Sequence, residues 1–140
     1  MGRVLGVDLG SRRIGLAVSD PSGTLASPLA VLERTGDRDA DHRAILDAAR
    51  EAEASTVVVG LPRSLSGREG PAARDARAEV AELRELADEG LNVELYDERF
   101  TTVTAERSLV EAGVRRDARK RVVDKVAAAV MLQGWLERHV

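Results

Sequence analysis

The spacing of apolar residues changes along the chain, and this change restricts the folds that the chain can adopt. Three strand-like runs come first, at residues 3–9, 14–19 and 24–32, and turn residues separate them. Segments with helical spacing then alternate with short apolar strands, in the order βββ-α-β-α-β-α-α. This order predicts an α/β fold with a mixed five-stranded sheet. The first three strands are antiparallel, the last two are parallel, and helices cover both faces.

The bounds of the later elements follow from local signals. Pro28 lies inside the third strand, which suits an edge strand or a bulge because proline has no backbone N–H. Gly90 is expected to end a helix. No linker or internal repeat is visible, so a single domain over residues 1–140 is expected. The predicted segments are helices at 39–52, 71–87, 101–112 and 122–138, strands at 56–60 and 92–97, and a basic connector at 115–121.

Composition excludes several classes of protein. The 140 residues include no cysteine and two histidines, which argues against a disulfide framework and against a thiolate or histidine zinc site. Three aromatic residues are few for a module that stacks single-stranded bases. A net charge of −3 is unusual for a nucleic-acid binder, although a local basic patch is compatible with it. No secretory segment or long apolar span is visible, so a cytoplasmic protein without membrane contact is expected.

Three carboxylates next to predicted core segments indicate one acidic site. Asp8 ends the first strand, Glu98 follows the fifth, and Asp124 lies on the last helix. Asp124 shares a helical stripe with four apolar residues, Ala127, Ala128, Met131 and Trp135. Carboxylates near a core are costly unless they are paired or bound to metal, and divalent cations relieve the repulsion between them.

Ordinary structural roles compete with this interpretation. Asp8 followed by Gly10 also fits a simple turn, and Asp97 with Glu98 also fits the entry of a helix. The residues alone do not decide between Asp97 and Glu98, because adjacent strand positions point to opposite faces. Gly10 is expected to leave room where a Cβ would obstruct a phosphate.

Basic residues lie close to these acids in the sequence. The loop at 61–70 is long for a connection between a strand and a helix, and it contains Arg63 and Arg68, which suit phosphate oxygens. Arg12 and Arg13 occupy the first turn. The run at 115–121 suits a nucleic-acid backbone, although a solvated connector is the ordinary interpretation of such a run.

Four sequence blocks together resemble the YqgF/RuvX family, which is associated with Holliday junction resolvases and pre-16S rRNA nucleases of the ribonuclease H-like superfamily. The blocks are VDLGSRRIGLAVSD at 7–20, VGLP at 59–62 with GREG at 67–70, DERFTT at 97–102 and DKVAAA at 124–129. They occur in the family's order. The resemblance implies a ribonuclease H-like fold and a catalytic trio of Asp8, Glu98 and Asp124, and it favours Glu98 over Asp97.

The expected activity is metal-dependent hydrolysis of phosphodiesters. The trio would hold two Mg²⁺ or Mn²⁺ ions. The expected substrate contacts are Arg12, Arg13, Arg63, Arg68, Arg99, Thr101 and Lys125. The predicted partner is nucleic acid, as structured RNA or branched DNA. Processing of the 5′ end of pre-16S rRNA is the leading function. The alternative is cleavage of four-way DNA junctions, for which a homodimer would be expected because the cut is symmetric.

Two other classes stay open at this stage. An acidic strand end followed by a glycine and a hairpin also resembles the phosphate loop of actin-like ATPases and sugar kinases, but those proteins need a duplicated domain. A non-catalytic factor that binds nucleic acid during ribosome assembly is the second alternative, since a fold alone does not establish an activity.

Overall fold

The computed structural model describes residues 2–61, 70–97 and 116–139. Within these residues, five strands form one sheet, and three helices pack on it. The strands are β1 (Arg3–Leu9), β2 (Arg13–Ser19), β3 (Ala26–Glu33), β4 (Ala54–Leu61) and β5 (Asn92–Asp97). The helices are α1 (Arg38–Glu51), α2 (Pro71–Leu86) and α3 (Arg116–His139).

The sheet has the order β3-β2-β1-β4-β5, with β1 at its centre. β1 pairs antiparallel with β2 and parallel with β4, and β4 pairs parallel with β5. The predicted fold class, a mixed sheet with helices on both faces, is confirmed. The central strands are nearly continuous in apolar residues because both of their faces are covered.

Alternation along β1 divides the core between the two faces of the sheet. Leu5 and Val7 belong to a buried cluster with side chains of α1 and α2, such as Ile45 and Leu83. Val4 belongs to the cluster on the opposite face, where it joins Ala17 of β2, Val58 of β4 and five side chains of α3. Those five are Ala128, Met131, Leu132, Trp135 and Leu136. The predicted apolar stripe of the last helix therefore covers this second face.

Helix α3 approaches β1 closely at Gly6. A Cβ at Gly6 would lie 2.9 Å from Leu132 Cβ and 3.4 Å from the Ala128 carbonyl oxygen. Only glycine fits without displacement, because carbon atoms in contact normally lie about 3.5–4.0 Å apart. Gly6 therefore fixes the distance between the helix and the centre of the sheet.

Strand β3 forms one edge of the sheet, as the proline predicted. Ala17 pairs with Pro28 while Leu16 pairs with Ala30, so Leu29 is an extra residue at that point of the ladder. Leu25 and Leu29 are exposed along this edge, at 66% and 43%. Pro28 thus lies beside a bulge in an edge strand.

The helix bounds show where local signals were insufficient. The predicted basic connector at 115–121 is wrong, because the backbone is helical from Arg116. Arginine, lysine and alanine are good helix formers, and the run contains no glycine or proline to stop a helix. Helix α2 ends at Leu86, and Gly90 lies in the following turn with φ +92°. The predicted helix at 101–112 and residues 62–69 of the predicted loop lie outside the described residues.

Helix α1 begins where its cap residue allows. The Asp37 carboxylate accepts hydrogen bonds from the backbone N–H groups of Asp39 and Ala40, at 3.1 and 3.3 Å. These bonds satisfy two of the N–H groups that a helix leaves unpaired at its start. No helix among residues 2–61, 70–97 and 116–139 has the length and apolar character needed to cross a membrane.

Candidate functional site

Asp8 lies near the carboxyl end of the central strand, where ligands bind in open α/β sheets. It is half-buried. Residues Val4, Gly6 and Asp8 alternate with Leu5 and Val7, so position 8 belongs to the face that α3 covers. The prediction that the first strand presents an acid at its end is consistent with this location.

The strand positions on either side of Asp8 are glycines. Asp8 pairs with Gly15 on β2. On β4, Val59 pairs with Val7, so Gly60 is the next position beside Asp8. Both glycines are buried. At the level of Asp8, neither neighbouring strand therefore carries a side chain. Both glycines belong to the sequence blocks at 7–20 and 59–62, and the strand register is what brings them beside Asp8.

Hydrogen bonds define how α3 runs relative to β1. Gln133 Oε1 accepts from the Ala26 N–H at 2.8 Å, and Ala26 pairs with Ser19. The Ser19 hydroxyl accepts from the Val4 N–H at 2.8 Å. Gln133 thus lies level with the start of β1.

The next contact along α3 lies further up the same strand. A Cβ at Gly6 would contact Leu132 and, one turn earlier in the helix, the carbonyl oxygen of Ala128. The first turns of α3 therefore extend toward the end of β1 that carries Asp8.

Strand β5 places Tyr96 on the same face as α3. The Tyr96 side chain packs against the α3 cluster, and its hydroxyl would lie 3.0 Å from a Cβ at Gly134. The Arg138 guanidinium carbon lies 5.6 Å from the centre of the Tyr96 ring, which is a cation–π distance. Val93 and Leu95 belong to the opposite cluster, so the side of each β5 position is established up to Tyr96.

Some of the predicted site residues lie within the described part of the chain, and the others remain predictions. Arg12 is exposed in the turn between β1 and β2. Arg13 is half-buried at the start of β2, and Lys125 is half-buried on α3. Asp124 belongs to the helical backbone of α3. Among the side chains that the structure describes, no three acids or histidines gather as metal ligands. Five predicted residues lie outside the described residues: Arg63, Arg68, Glu98, Arg99 and Thr101.

A buried polar network beside the Asp8 turn was not predicted from the sequence. Arg34 donates two hydrogen bonds of 2.9 Å to the two carboxylate oxygens of Glu79 on α2. His42 Nε2 on α1 lies 2.8 Å from Glu79 Oε1. Arg34 Nε also donates to the Gly10 carbonyl at 2.7 Å. The network therefore connects both helices on one face of the sheet to the turn that follows Asp8.

The network keeps Glu79 ionised. Burial alone would raise the pKa of Glu79, but the hydrogen bonds from Arg34 and His42, together with the charges of Arg34 and Arg38, lower it below its ordinary value. Since an ionised carboxylate only accepts, His42 donates through Nε2. Its buried Nδ1 has no hydrogen-bond partner among the described residues.

Comparisons with known proteins agree with this fold and arrangement. A relative from Mycobacterium sp. (strain KMS), named "Putative pre-16S rRNA nuclease", is 47% identical over 137 residues, which cover 98% of this chain and 80% of the relative. A relative of the same name from Myxococcus xanthus (strain DK1622) is 44% identical over 137 residues, with 98% of this chain and 89% of the relative covered.

The solved structure of T. thermophilus RuvC in complex with Holliday junction substrate has the same fold. Its TM-score is 0.55 at 18% identity, and the match covers 99% of this chain and 96% of that chain. The family model described as "RuvX: Holliday junction resolvase" matches residues 2–138. This match over nearly the whole length shows that the chain belongs to the RuvX family, as the four sequence blocks predicted.

Proposed function

We propose that this chain is a metal-dependent nuclease whose site is formed by Asp8, Glu98 and Asp124, and that it processes the 5′ end of pre-16S rRNA. The observation that carries the proposal is the packing of α3 on β1 at Gly6. The proposal also includes a single nuclease domain over residues 1–140 and a cytoplasmic location.

The packing supports the pairing of Asp124 with Asp8. Gly6 faces the turn of α3 between Ala128 and Leu132, and α3 runs antiparallel to β1. Four residues of helix span about 6 Å, and two residues of strand span about 6.6 Å. Moving from Gly6 to Asp8 therefore corresponds to moving about one turn back along α3, from the turn at 128–132 toward position 124. We expect the two acids at the same level of the sheet.

The alternation of β5 supports Glu98 as the third acid. Tyr96 lies on the face of α3. Because successive strand residues alternate between the two faces, we expect Glu98, two positions later, on the same face as Asp8. On β4, Gly60 lies level with Asp8, and the next residue, Leu61, pairs with position 97 of β5. The sheet geometry and the family resemblance thus favour Glu98 over Asp97 on separate grounds.

The donor set suits a hard divalent cation. Carboxylates are the ligands that Mg²⁺ and Mn²⁺ prefer, and the glycines beside Asp8 leave space for such a group. When bound, the cations would activate water and stabilise the leaving oxygen. Asp8, Glu98 and Asp124 would hold them, which requires all three carboxylates to be ionised.

The basic residues have separate roles in the proposal. Arg12 lies in the turn after β1, Arg13 begins β2, and Lys125 belongs to α3. We propose that these three residues bind phosphate groups of the nucleic acid next to the cleaved bond. Arg63, Arg68, Arg99 and Thr101 are proposed as further contacts from the two segments that follow β4 and β5.

The choice of RNA rests on the relatives. The relatives at 44% and 47% identity are named for pre-16S rRNA. The RuvC structure holds a Holliday junction, but at 18% identity the likeness shows only the fold. Cleavage of branched DNA by a homodimer is therefore the second candidate, favoured by the description of the family model.

The deciding experiment compares substrates and metals together. Cleavage of a labelled pre-16S rRNA leader, a four-way DNA junction and duplex DNA is measured with Mg²⁺, Mn²⁺ or chelator. We expect cut RNA with either metal and none with chelator. Asp8→Asn should abolish cleavage while leaving the unfolding transition unchanged. Cleavage of the junction alone would transfer the proposal to the second candidate. Wild-type turnover by the Asp8 variant would refute the acidic site.

A further inference from the structure

We infer that Arg34 is a positioning residue for Asp8, acting through the turn that joins β1 to β2. The inference rests on the proposed function, since it assigns to Arg34 the task of holding the acidic site in its working geometry. Arg34 lies just after β3, 26 positions from Asp8 in sequence, and reaches the turn from outside it.

Arg34 holds the turn at two backbone positions. Its side-chain Nε donates to the Gly10 carbonyl at 2.7 Å, and its backbone N–H donates to the Arg12 carbonyl at 2.9 Å. Within the turn, the Gly10 N–H donates to the Arg13 carbonyl at 2.9 Å. The carbonyls of residues 10 and 12 are thus fixed by one residue, two and four positions after Asp8.

The guanidinium is itself held on its other side. Its two terminal nitrogens bind both oxygens of Glu79, and the two side chains are only 17% and 7% exposed. Glu79 also accepts from His42, whose side chain is 1% exposed. Since bidentate geometry allows the planar guanidinium little rotation, the position of the turn is coupled to α1 and α2.

This arrangement argues against Arg34 as a phosphate contact. Three of its N–H groups are already committed to Glu79 and Gly10, and its charge is balanced by a buried carboxylate. The contacts of Arg34 instead fix the direction of the backbone at the end of β1. Such outer contacts hold metal ligands in place, and removing them typically costs about 10–100-fold in metal affinity or activity.

The same pair of helices offers a matched control. Arg38 of α1 binds Glu82 of α2 at 2.6 Å, and these side chains are 43% and 45% exposed. The pair has the same chemistry as Arg34–Glu79 and also binds α2, but among the described residues it makes no hydrogen bond to the turn. Arg38→Lys therefore tests for a general effect of weakening an arginine–carboxylate pair.

The test is Arg34→Lys, which keeps the charge beside Glu79 and loses the fork that binds Glu79 and Gly10 together. We expect kcat per folded molecule to fall roughly 10–100-fold and the Mg²⁺ concentration for half-maximal cleavage to rise, with KM for the RNA nearly unchanged. Exchange of the Gly10 amide hydrogen, followed by NMR, should accelerate. Arg38→Lys should leave all four quantities at their wild-type values.

The outcomes separate this inference from the proposed function. If the wild-type chain cleaves and Arg34→Lys shows wild-type kcat and Mg²⁺ dependence per folded molecule, Arg34 stabilises the fold only and the inference is wrong. If Arg38→Lys has the same effect as Arg34→Lys, the inference is also wrong. A wild-type chain with no metal-dependent cleavage refutes the proposed function, and the inference with it.

Discussion

Replacing Gly6 by alanine tests the packing that supports the proposed site. A methyl group at position 6 points at α3, where its carbon would lie 2.9 Å from Leu132 Cβ, 3.3 Å from Leu132 Cδ2 and 3.4 Å from the Ala128 oxygen. The first of these atoms is next to the backbone and cannot rotate away. The helix or the strand must therefore move.

The expected magnitude follows from two opposing terms. Forcing a methyl group into a packed core typically costs about 1–3 kcal/mol. Alanine in place of glycine also restricts the unfolded chain, which returns about 0.4–1 kcal/mol. The net loss should be about 1 kcal/mol, the middle of the range that these terms allow, or roughly 3–4 °C in Tm for a chain of this size. Without the close contact, the same change would stabilise the protein, so the sign of the effect is decisive.

The assay uses the single tryptophan of the chain. Trp135 is on α3, is 4% exposed and packs in the same cluster as Leu132. Its fluorescence during urea unfolding therefore reports the contact between the helix and the sheet. The Gly6 variant should show a lower midpoint and, because α3 carries Asp124, weaker metal-dependent cleavage.

A glycine on α3 itself, Gly134, serves as the control. A Cβ at Gly134 would lie 3.0 Å from the Tyr96 hydroxyl, the far end of a side chain that can rotate. Alanine also gains about 1 kcal/mol over glycine inside a helix. Gly134→Ala should therefore unfold at the wild-type midpoint or above it. A Gly6→Ala protein as stable as wild type would refute the close packing of α3 on β1.

Three further predictions concern stability. Glu79→Gln should lower the free energy of unfolding at pH 7 by about 3 kcal/mol, because it leaves Arg34 without its buried partner. Since folding lowers the pKa of Glu79, its contribution is present above the ordinary value of 4.5 and is lost as the pH falls through the folded value, so the variant's acid unfolding curve should be flatter. Asp37→Ala should cost about 1 kcal/mol in chemical unfolding through loss of the α1 cap, and a stable variant would contradict that role. Leu83→Ala, at 0% exposure, should cost about 2–5 kcal/mol, whereas Leu25→Ala, at 66%, should change the stability by less than about 0.5 kcal/mol; equal losses would contradict the assigned core.

Local sequence signals predicted most elements because each is encoded by neighbouring residues. The bounds predicted for β1 and β5 match the structure. The start of α3 was predicted too late, because the basic run at 115–121 was interpreted as a connector although charge alone does not stop a helix. Gly10 was expected to clear space for a phosphate, but the structure gives a nearer reason: a Cβ there would lie 2.5 Å from the Arg13 oxygen.

Long-range contacts at the site were beyond sequence reasoning. Arg34, His42 and Glu79 are separated by 8 and 37 positions and share no motif, so only the fold brings them together. Gly60 looked like an ordinary strand end until the register placed it beside Asp8. Which acids form the site stays a prediction that rests on the resemblance. The described residues support the placement of Asp8, while Glu98 and the Asp124 side chain stay predictions.

The outer edge of β3 bears on how this protein behaves at high concentration. An uncovered edge offers N–H and C=O groups on which a strand from another molecule can pair, which leads to aggregation. Pro28 removes one donor from that row, and the extra residue at Leu29 breaks its regular spacing. A strand from another molecule would therefore meet only short stretches of regularly spaced backbone. We expect this edge to resist strand pairing between molecules.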